Sequence, residues 1–511
     1  MTLDLHSLPP EARKAFEGLQ AENLRLQTLL KFKDEQIRLL NLKRWGPKAD
    51  KLSEAQLALL PQELIVLPPE VEQEAALPEE KKTPPRAPKA PRKPHPGRAP
   101  LPEHLERRVE IIPCHPQDCS CPVCGQDRPI IGYEIREELD CRPAEFFVRV
   151  IKREKRGSHC HEEQGVAVAP APAQIVPKGK LSNAFIIEVL ASKFQQHIPV
   201  YRQCAVLLEN HGIELSRQTL NDALLTSGQL LTAVVRAQAA QLLAGAYLQA
   251  DETTLPCQTS DKSGRNHRAF LWEYSIPGGP VVFDFQMGRG RDGPAQFLKG
   301  FRGKLQCDGY SAYDDLGELI VFVACMAHIR RGFVDAAKLA PLDPLPVEVV
   351  QQIGLLYEIE REARARNLSP PERLELRQRA SQPIMAALKA RLIQIRQEVT
   401  PSSALGKACK YALGQWSRME VYLTDGQVEI DNNWCEGGMR PVALGRRNWL
   451  HLGDKSAGPK LAAIISIVET CRRLDIHLRE YLSDVLPRLG DWPANRVAEL
   501  TPTAWKAARK P

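Results

Sequence analysis

AYLQAD (residues 246–251), FLWEYSI (270–276), VVFDFQM (281–287) and KLQCD (304–308) are short apolar stretches that follow one another in the sequence. Each has the length and composition of a strand, and the PGGP turn at 277–280 joins the second to the third. The first and the fourth end in an acid, at Asp251 and Asp308. A helical stretch at 294–301 precedes the fourth, and LIVFVACMAH (319–328) predicts a further strand or buried segment.

These elements come in the order of three meandering strands, a helix, a strand and then alternation. This is the order expected of an RNase H-like α/β sheet, and it predicts Asp251 and Asp308 at adjacent strand positions. We assign the predicted catalytic domain to residues 246–455. A strongly charged helical stretch at about 341–424 is interpreted as an insertion into this domain, and helical periodicity predicts a C-terminal helical region at 456–490.

Carboxylates in this arrangement are suited to phosphodiester chemistry. Such cleavage needs an activated hydroxyl and a neutralised leaving oxygen, and two Mg²⁺ ions about 3.5–4 Å apart supply both. Mg²⁺ takes oxygen ligands and keeps several waters, so about three carboxylates on rigid elements suffice. Asp251, Asp308 and Glu436 meet this description. A single strand-end Asp is more often a turn residue or a helix cap, so the acids alone are not specific.

Glu436 lies within DNNWCEGG, at the start of a predicted helix. Asn432 and Asn433 precede it, and asparagine is among the residues that cap helix N-termini. We therefore expect these two side chains to cap the helix that carries Glu436.

Composition sets broader limits. The 511 residues predict about three or four modules, and a net charge of +7 is only a weak indication of nucleic-acid binding. The N-terminal segment is too charged for a signal peptide, and no apolar run approaches the ~20 residues of a membrane helix. Most of the 13 cysteines are scattered. We expect a protein of a reducing cytoplasm that is not associated with a membrane.

The N-terminal part predicts self-association. Residues 10–45 have a heptad pattern, with Asn23 and Lys33 among the apolar seam residues, and predict a coiled coil. A single amphipathic helix packed on its own domain is the alternative. Residues 77–102 are rich in proline and basic residues and predict an extended linker, which is either a solvated spacer or a basic strap along a phosphate backbone.

A cysteine-bearing module follows at residues 103–168. Its Cys121-Pro-Val-Cys124-Gly sequence is typical of half a zinc site. The other half would come from His159, Cys160 and His161, and we take Cys160 and His161 with Cys121 and Cys124 as the candidate zinc ligands. A degenerate finger that folds without metal is the alternative.

Residues 181–243 have a helical pattern. HGIELSRQTLNDALL predicts a helix, a turn at Gly212 and a second helix capped by Ser216. The pattern suits a helix-turn-helix that binds DNA, and it equally suits any short helical pair.

The motifs ADET, QCDGYSAY, CMAHIRRGF and DNNWCEGGMRP, followed by LGRRNWL, occur in this order. The series resembles the insertion sequence 66 family of transposases over nearly the whole chain. The family's motifs for its three acids read here as QADETT, LQCDGYSAY and EIDNNWCEGGMRPVALGRRNWLHLG, which gives Asp251, Asp308 and Glu436. Departures are Cys435 and Gly437, where the family usually has Ala and Asn, and the missing second cysteine pair of the zinc module.

The resemblance implies an RNase H-like catalytic domain that cleaves the ends of a DNA element and joins the freed 3′-hydroxyls to target DNA. It implies two Mg²⁺ ions as cofactors, with Zn²⁺ possible, and double-stranded DNA as partner. A homo-oligomer and small accessory transposition proteins are further expected partners. It also carries over Cys325 and His328 of CMAH as a pair near the active site, without a derived role.

Basic and polar side chains near the acids are candidate DNA contacts, because Arg binds phosphate in a bidentate way. Surface ion pairs with the insertion are the alternative. These candidates are Arg330, Arg331, Arg440, Arg446, Arg447, Asn448 and His451. Two other functions remain open: a catalytically silent DNA-binding regulator derived from a transposase, and an RNase H-type nuclease that cuts without joining.

Overall fold

The five stretches predicted as strands around Asp251 and Asp308 form one mixed sheet in a computed structural model of the chain. The structure describes residues 101–121, 123–142, 145–157, 166–259, 266–449 and 451–509. The predicted coiled coil at 10–45 and the linker up to residue 100 lie outside the described residues, as do His159, Cys160 and His161.

The cysteine-bearing module contains a four-stranded sheet that the sequence did not predict. Charged residues face each other across its strands, as Arg153 does Glu134 and Arg149 does Glu138, so the sequence lacks the apolar runs that indicate strands. The sheet is built on a long antiparallel hairpin. The second strand of this hairpin also pairs with one parallel strand and one antiparallel strand. Its strands are β1 (Arg107–Ile112), β2 (Ile130–Arg142), β3 (Glu145–Gly157) and β4 (Val166–Val168).

Cys121 and Cys124 lie in a tight turn of this module. The Gly125 amide donates to the Cys121 carbonyl at 2.9 Å, and the Cys121 amide donates to the Gln126 carbonyl at 2.8 Å. Gly125 has φ = 75°, a left-handed conformation that glycine adopts without strain. The turn therefore depends on the glycine that follows the cysteine pair.

Three helices then cover residues 183–243: α1 (Asn183–Phe194), α2 (Val200–His211) and α3 (Arg217–Leu243). The predicted turn at Gly212 is confirmed, since this residue ends α2 with φ = 62°. The predicted cap is confirmed too, because the Ser216 hydroxyl accepts a hydrogen bond from the Thr219 amide at 3.1 Å. Local residue types determined both features.

The central sheet has the order β7-β6-β5-β8-β9. β5, β6 and β7 form an antiparallel meander, whereas β8 and β9 run parallel to β5. Its elements are β5 (Tyr247–Cys257), β6 (His267–Ser275), β7 (Val281–Gln286), α4 (Asp292–Phe297), β8 (Gly303–Cys307) and β9 (Ile320–Ala324).

One strand differs from its prediction. β5 continues past Asp251 to Cys257, because β6 pairs with it from Gln249 onwards. Asp251 therefore lies within a strand and does not end it, whereas Asp308 directly follows β8 as predicted.

Helices surround the sheet and complete two hydrophobic cores. One core joins the central sheet to α3 and to the C-terminal helices, and the other joins the edge around Val323 to the helices of the predicted insertion. None of the helices in the described part of the chain is long and apolar enough to cross a membrane. The helices are α5 (Met326–Leu339), α6 (Pro344–Ala365), α7 (Pro370–Leu376), α8 (Gln382–Glu398), α9 (Ala404–Gly414), α10 (Trp416–Glu420), α11 (Asn433–Trp449), α12 (Ala457–Arg473), α13 (Leu478–Val485) and α14 (Pro502–Ala507), with a π turn at Arg377–Ser381.

α12 protects the outer edge of β7. The Phe283 amide donates to the Ser466 hydroxyl at 2.8 Å, and the Val281 amide donates to the Thr470 hydroxyl at 3.0 Å. These side chains satisfy strand amides that no neighbouring strand bonds, which removes an open sheet edge.

Candidate active site

Asp251 and Asp308 come together where β5 and β8 separate. Gln249 pairs with Gln306 at the last position of the β5–β8 ladder, and each acid lies two residues further along its own chain. Because side chains alternate along a strand, Asp251 lies on the same side of β5 as Gln249, whereas Asp308 directly follows the last residue of β8. The parallel register therefore brings the two predicted acids side by side.

The pKa of Asp251 indicates that Glu436 belongs to the same cluster. Burial raises this pKa well above its ordinary value, and the negative charges of Glu252, Glu436 and Asp308 raise it further. Like charges gathered in a buried place are unfavourable without a counter-charge. The charges of these acids therefore act on one another at this place in the fold.

Asp308 is fixed by the turn that follows β8. Its Oδ1 accepts a hydrogen bond from the Tyr310 amide at 2.9 Å, and its carbonyl accepts one from the Tyr411 hydroxyl at 2.6 Å. Gly309 between them has φ = 80°. A side chain there would be strained, and its Cβ would lie 3.2 Å from the Tyr411 hydroxyl, which explains the glycine of QCDGY.

The start of α11 differs from the prediction for Asn432. Its amide side chain donates to the Ala250 carbonyl at 2.9 Å and does not cap the helix. Asn433 does not precede the helix as a cap but is its first residue, and it donates from its backbone amide to Asp431 Oδ1 at 3.1 Å and from its side chain to Asp431 Oδ2 at 2.8 Å. Asn432 thereby ties the start of α11 directly to β5, next to Asp251.

The Glu436 carboxylate lies against α5. Its Oε1 is 3.5 Å from His328 Nδ1 and its Oε2 is 3.6 Å from an Arg331 nitrogen. In the described part of the chain, one group of three side chains that could bind a metal has its ligand atoms within 4.8 Å of one another. It consists of Cys325, His328 and Glu436. The carboxylates of Asp251 and Asp308 are outside this group, so the three predicted acids share a neighbourhood without sharing one ligand shell.

His328 faces Glu436 and has a lowered pKa. Burial lowers the pKa of His328, and this outweighs the opposite effect of the Glu436 charge. Among the described residues, neither His328 Nδ1 nor Glu436 Oε1 has a hydrogen-bond partner, although both atoms are buried.

The predicted DNA-contacting residues differ in how exposed their side chains are. Arg440 and Arg447 are exposed, and their spacings of four and eleven from Glu436 put them on its face of α11. Arg446 is directed inward: its guanidinium donates to the carbonyl and hydroxyl of Thr254, each at 2.5 Å, and holds α11 against β5. Arg331 is exposed beside Glu436, whereas Arg330 and His451 are partly buried. The Asn448 side chain donates to the Leu444 carbonyl at 3.2 Å.

Glu252 is a site residue that the sequence interpretation missed. Its side chain is almost fully buried and accepts from Arg289 at 2.6 Å and from the Tyr313 hydroxyl at 3.0 Å. Burial raises its pKa, and the nearby Asp308 charge adds to this effect. A second acid directly after Asp251 in ADET was the available signal.

A buried ion cluster supports the first turn of α11. Arg473 of α12 donates to Glu273 of β6 at 2.6 Å, to Glu469 at 2.9 Å and to the Trp434 carbonyl at 2.7 Å. The charged side chains are at most 4% exposed. Arg473 therefore joins the sheet, α12 and the segment that carries Glu436.

The helical insertion binds the chain just before α11, at Glu429. Glu429, seven residues before Glu436, accepts from Arg373 of α7 at 2.8 Å and from Arg364 of α6 at 3.1 Å. Burial alone would raise the pKa of Glu429, but the two guanidinium groups outweigh it and keep this pKa below its ordinary value. The helical insertion is thus bound by charge to the segment leading to α11.

The Glu429→Gln variant is expected to lose about 2 kcal/mol of unfolding free energy at pH 7, because three hydrogen bonds from the Arg364 and Arg373 guanidinium groups lose their anionic acceptor and both cations lose a counter-charge. A depressed folded-state pKa stabilises the protein above the unfolded-state value of about 4.3, and this stabilisation disappears as pH falls. Denaturation at pH 7 and at pH 3.5 measures the difference. An equal difference between variant and wild type at both pH values would contradict this assignment.

Comparison with known proteins agrees with the arrangement of motifs. The model described as "Transposase IS66 family" matches residues 178–460, more than half of the chain, and "IS66 C-terminal element" matches 466–503. "Transposase C of IS166 homeodomain" matches 34–109.

Similar proteins occur in Sinorhizobium fredii. "Uncharacterized protein y4hP" is 32% identical over 81% of this chain and 78% of its own length. "Uncharacterized protein y4jD" is 33% identical over 80% of this chain and 82% of its own length. Family matches that extend across the central sheet, α11 and the C-terminal helices lead to one conclusion: the chain belongs to the IS66 family of transposases.

Proposed function

We propose that this protein is a Mg²⁺-dependent transposase of the Asp-Asp-Glu type, with Asp251, Asp308 and Glu436 as its catalytic carboxylates. The observation that carries the proposal is the placement of the acids: the β5–β8 register sets the two strands with Asp251 and Asp308 side by side, and the Asn432–Ala250 hydrogen bond ties the start of the Glu436 helix to β5. Membership of a transposase family suggests transposition and DNA binding in general terms. The specific chemistry is inferred from the acids.

An RNase H-like fold is part of the proposal. Three antiparallel strands followed by two strands parallel to the first, in the order β7-β6-β5-β8-β9, support it. In such a sheet, acids at the point where β5 and β8 separate face a common opening. The nearby start of α11 gives a third acid access to the same opening.

The residues fit two Mg²⁺ ions in their chemistry. All three are hard oxygen donors, and the mutual repulsion that raises the Asp251 pKa would be relieved by divalent cations. The ions would supply activation of the nucleophile and neutralisation of the leaving oxygen. For all three acids to act together, the Glu436 side chain must turn from His328 and Arg331 towards Asp251 and Asp308.

The reaction consists of two displacements at phosphorus. In the first, a water oxygen attacks at the element end, and the bond to the 3′-oxygen breaks to leave a 3′-hydroxyl. In the second, that hydroxyl attacks a target phosphodiester, so that a new P–O bond replaces the one that breaks. Arg331, Arg440 and Arg447 are exposed near Glu436 and would hold the phosphates in line.

The other modules would bind DNA and assemble subunits. The linker at 77–102 and the helical region at 181–243 would contact the element ends, with salt-dependent affinity. Cys121 and Cys124 would bind Zn²⁺ together with Cys160 and His161, and the tight turn at Gly125 supports the first half of that site. The coiled coil at 10–45 would form the homo-oligomer, to which accessory proteins would add.

The test is a cleavage assay with an uncleaved element end and a strand-transfer assay with a pre-cleaved one, each with Mg²⁺ or EDTA and with the Asp308→Asn variant. With Mg²⁺, wild-type protein is expected to give both cut and joined products. Neither product is expected from wild-type protein in EDTA or from the variant. Cuts without joined strands would indicate a nuclease, and binding without either product would indicate a silent regulator. Either of these two results would refute the proposal.

A further inference from the structure

The two strands that carry Asp251 and Asp308 share a short sequence repeat. LQAD (248–251) and LQCD (305–308) both read Leu-Gln-x-Asp. They lie on neighbouring parallel strands in which Leu248 pairs with Leu305 and Gln249 with Gln306. Both glutamine side chains are fully buried. Buried glutamine needs partners for its donors and its acceptor, so the partners of this glutamine pair (Gln249 and Gln306) indicate its role.

Gln249 bonds the backbone on both sides of the start of α11. Its Nε2 donates to the Asp431 carbonyl at 2.9 Å, and its Oε1 accepts from the Cys435 amide at 3.3 Å. Cys435 directly precedes Glu436. The Gln249 side chain, two residues before Asp251, therefore hydrogen-bonds the first turn of the helix that carries Glu436.

Gln306 bonds the same segment further upstream. Its Nε2 donates to the Glu429 carbonyl at 2.9 Å, and its Oε1 accepts from Gln249 at 2.8 Å and from the Tyr247 hydroxyl at 2.5 Å. The Tyr247 hydroxyl in turn accepts from the Glu429 amide at 3.1 Å. The network is continuous from Glu429 to Cys435, and its donors lose their partners if this segment moves.

We propose that the glutamine pair positions the third carboxylate relative to the first two. Each glutamine precedes its acid by two residues and bonds the segment at 429–435, so the strands that lead to Asp251 and Asp308 also hold the Glu436 segment. Neither glutamine touches DNA or metal in this role. The consequence for catalysis depends on the proposed function, whereas the placement of the segment does not.

The chain offers a matched control in Gln238 of α3. This glutamine is also fully buried, and its Nε2 donates to the Val281 carbonyl at 2.6 Å and to the Thr470 hydroxyl at 3.0 Å. Its partners lie at the β7 edge. Gln238→Met therefore removes comparable buried hydrogen bonds without touching the segment at 429–435.

The experiment compares Gln249→Met, Gln306→Met and Gln238→Met in the full-length protein by hydrogen–deuterium exchange of the peptide covering 428–437. Exchange in this peptide is expected to accelerate at least about tenfold in the first two variants and to stay unchanged in the third. Unchanged exchange in Gln249→Met and Gln306→Met overturns the proposal. If a Met variant does not fold, Gln249→Asn, which keeps the amide but is one methylene shorter, is measured in its place under the same criterion.

A second readout connects placement to catalysis. The Mg²⁺ concentration for half-maximal strand cleavage is expected to rise at least about tenfold in Gln249→Met and Gln306→Met and to stay unchanged in Gln238→Met. An equal rise in all three variants would indicate general loosening and would overturn the catalytic part. If wild-type protein cuts no DNA while the exchange pattern is as expected, the proposed function fails and the positioning role stands.

Discussion

The Asp251→Asn variant is expected to lose strand cleavage by at least about three orders of magnitude, equivalent to about 4 kcal/mol of transition-state stabilisation. Asparagine keeps the size of the side chain but removes the charge that would bind a divalent cation. The same change is expected to stabilise the metal-free fold, because it removes a carboxyl whose ionisation is opposed by burial and by the charges of Glu252, Glu436 and Asp308. Activity and stability should therefore change in opposite directions.

The stabilisation of the metal-free fold by Asp251→Asn depends on pH. A carboxyl with a raised folded-state pKa binds more protons in the folded than in the unfolded protein, so its ionisation reduces stability as pH rises above the unfolded value of about 3.9. The advantage of Asp251→Asn in EDTA should therefore grow between pH 5 and pH 8, as thermal denaturation would measure. Asp491→Asn, an exposed change of equal charge near the C-terminus, should alter neither property. Cleavage by Asp251→Asn within about tenfold of wild type would exclude Asp251 as a catalytic ligand.

The Gly438→Ala variant is expected to lose about 3 kcal/mol of unfolding free energy and most of its cleavage activity. A Cβ at this position would overlap the Glu273 carboxylate and the Arg473 guanidinium. Both groups are buried and bonded to each other, so neither can move without breaking the ion pair. The start of α11 would be displaced instead, and Glu436 with it.

The adjacent Gly437 supplies the control. Apart from the backbone of its own helix, the described part of the chain has no atom within 4 Å of where a Cβ of residue 437 would lie, so Gly437→Ala should gain about 0.5–1 kcal/mol from the higher helix propensity of alanine. Chemical denaturation of both variants measures the contrast between two neighbouring glycines of one helix. If Gly438→Ala is as stable as Gly437→Ala, the ion cluster does not fix the position of α11.

The sequence by itself determined the features that depend on local residue types. Alternating apolar stretches with a PGGP turn gave the central strands, Ser216 and Gly212 gave a helix start and a helix end, and the motif series gave the family. These signals lie within a few residues of the features they predict. The strands of the cysteine-bearing module were missed because their charges pair across strands, which no single stretch of sequence displays.

Only the tertiary structure decided how distant parts of the chain meet. Pairing with β6 extended β5 past Asp251, Asn432 bonded Ala250 and did not cap its helix, and Arg446 turned to Thr254. The two LQxD stretches were visible in the sequence, but their partners at 429–435 were not. Each of these contacts joins residues that lie far apart in sequence or on different elements, and the energy of such contacts depends on packing that local residue pattern does not encode.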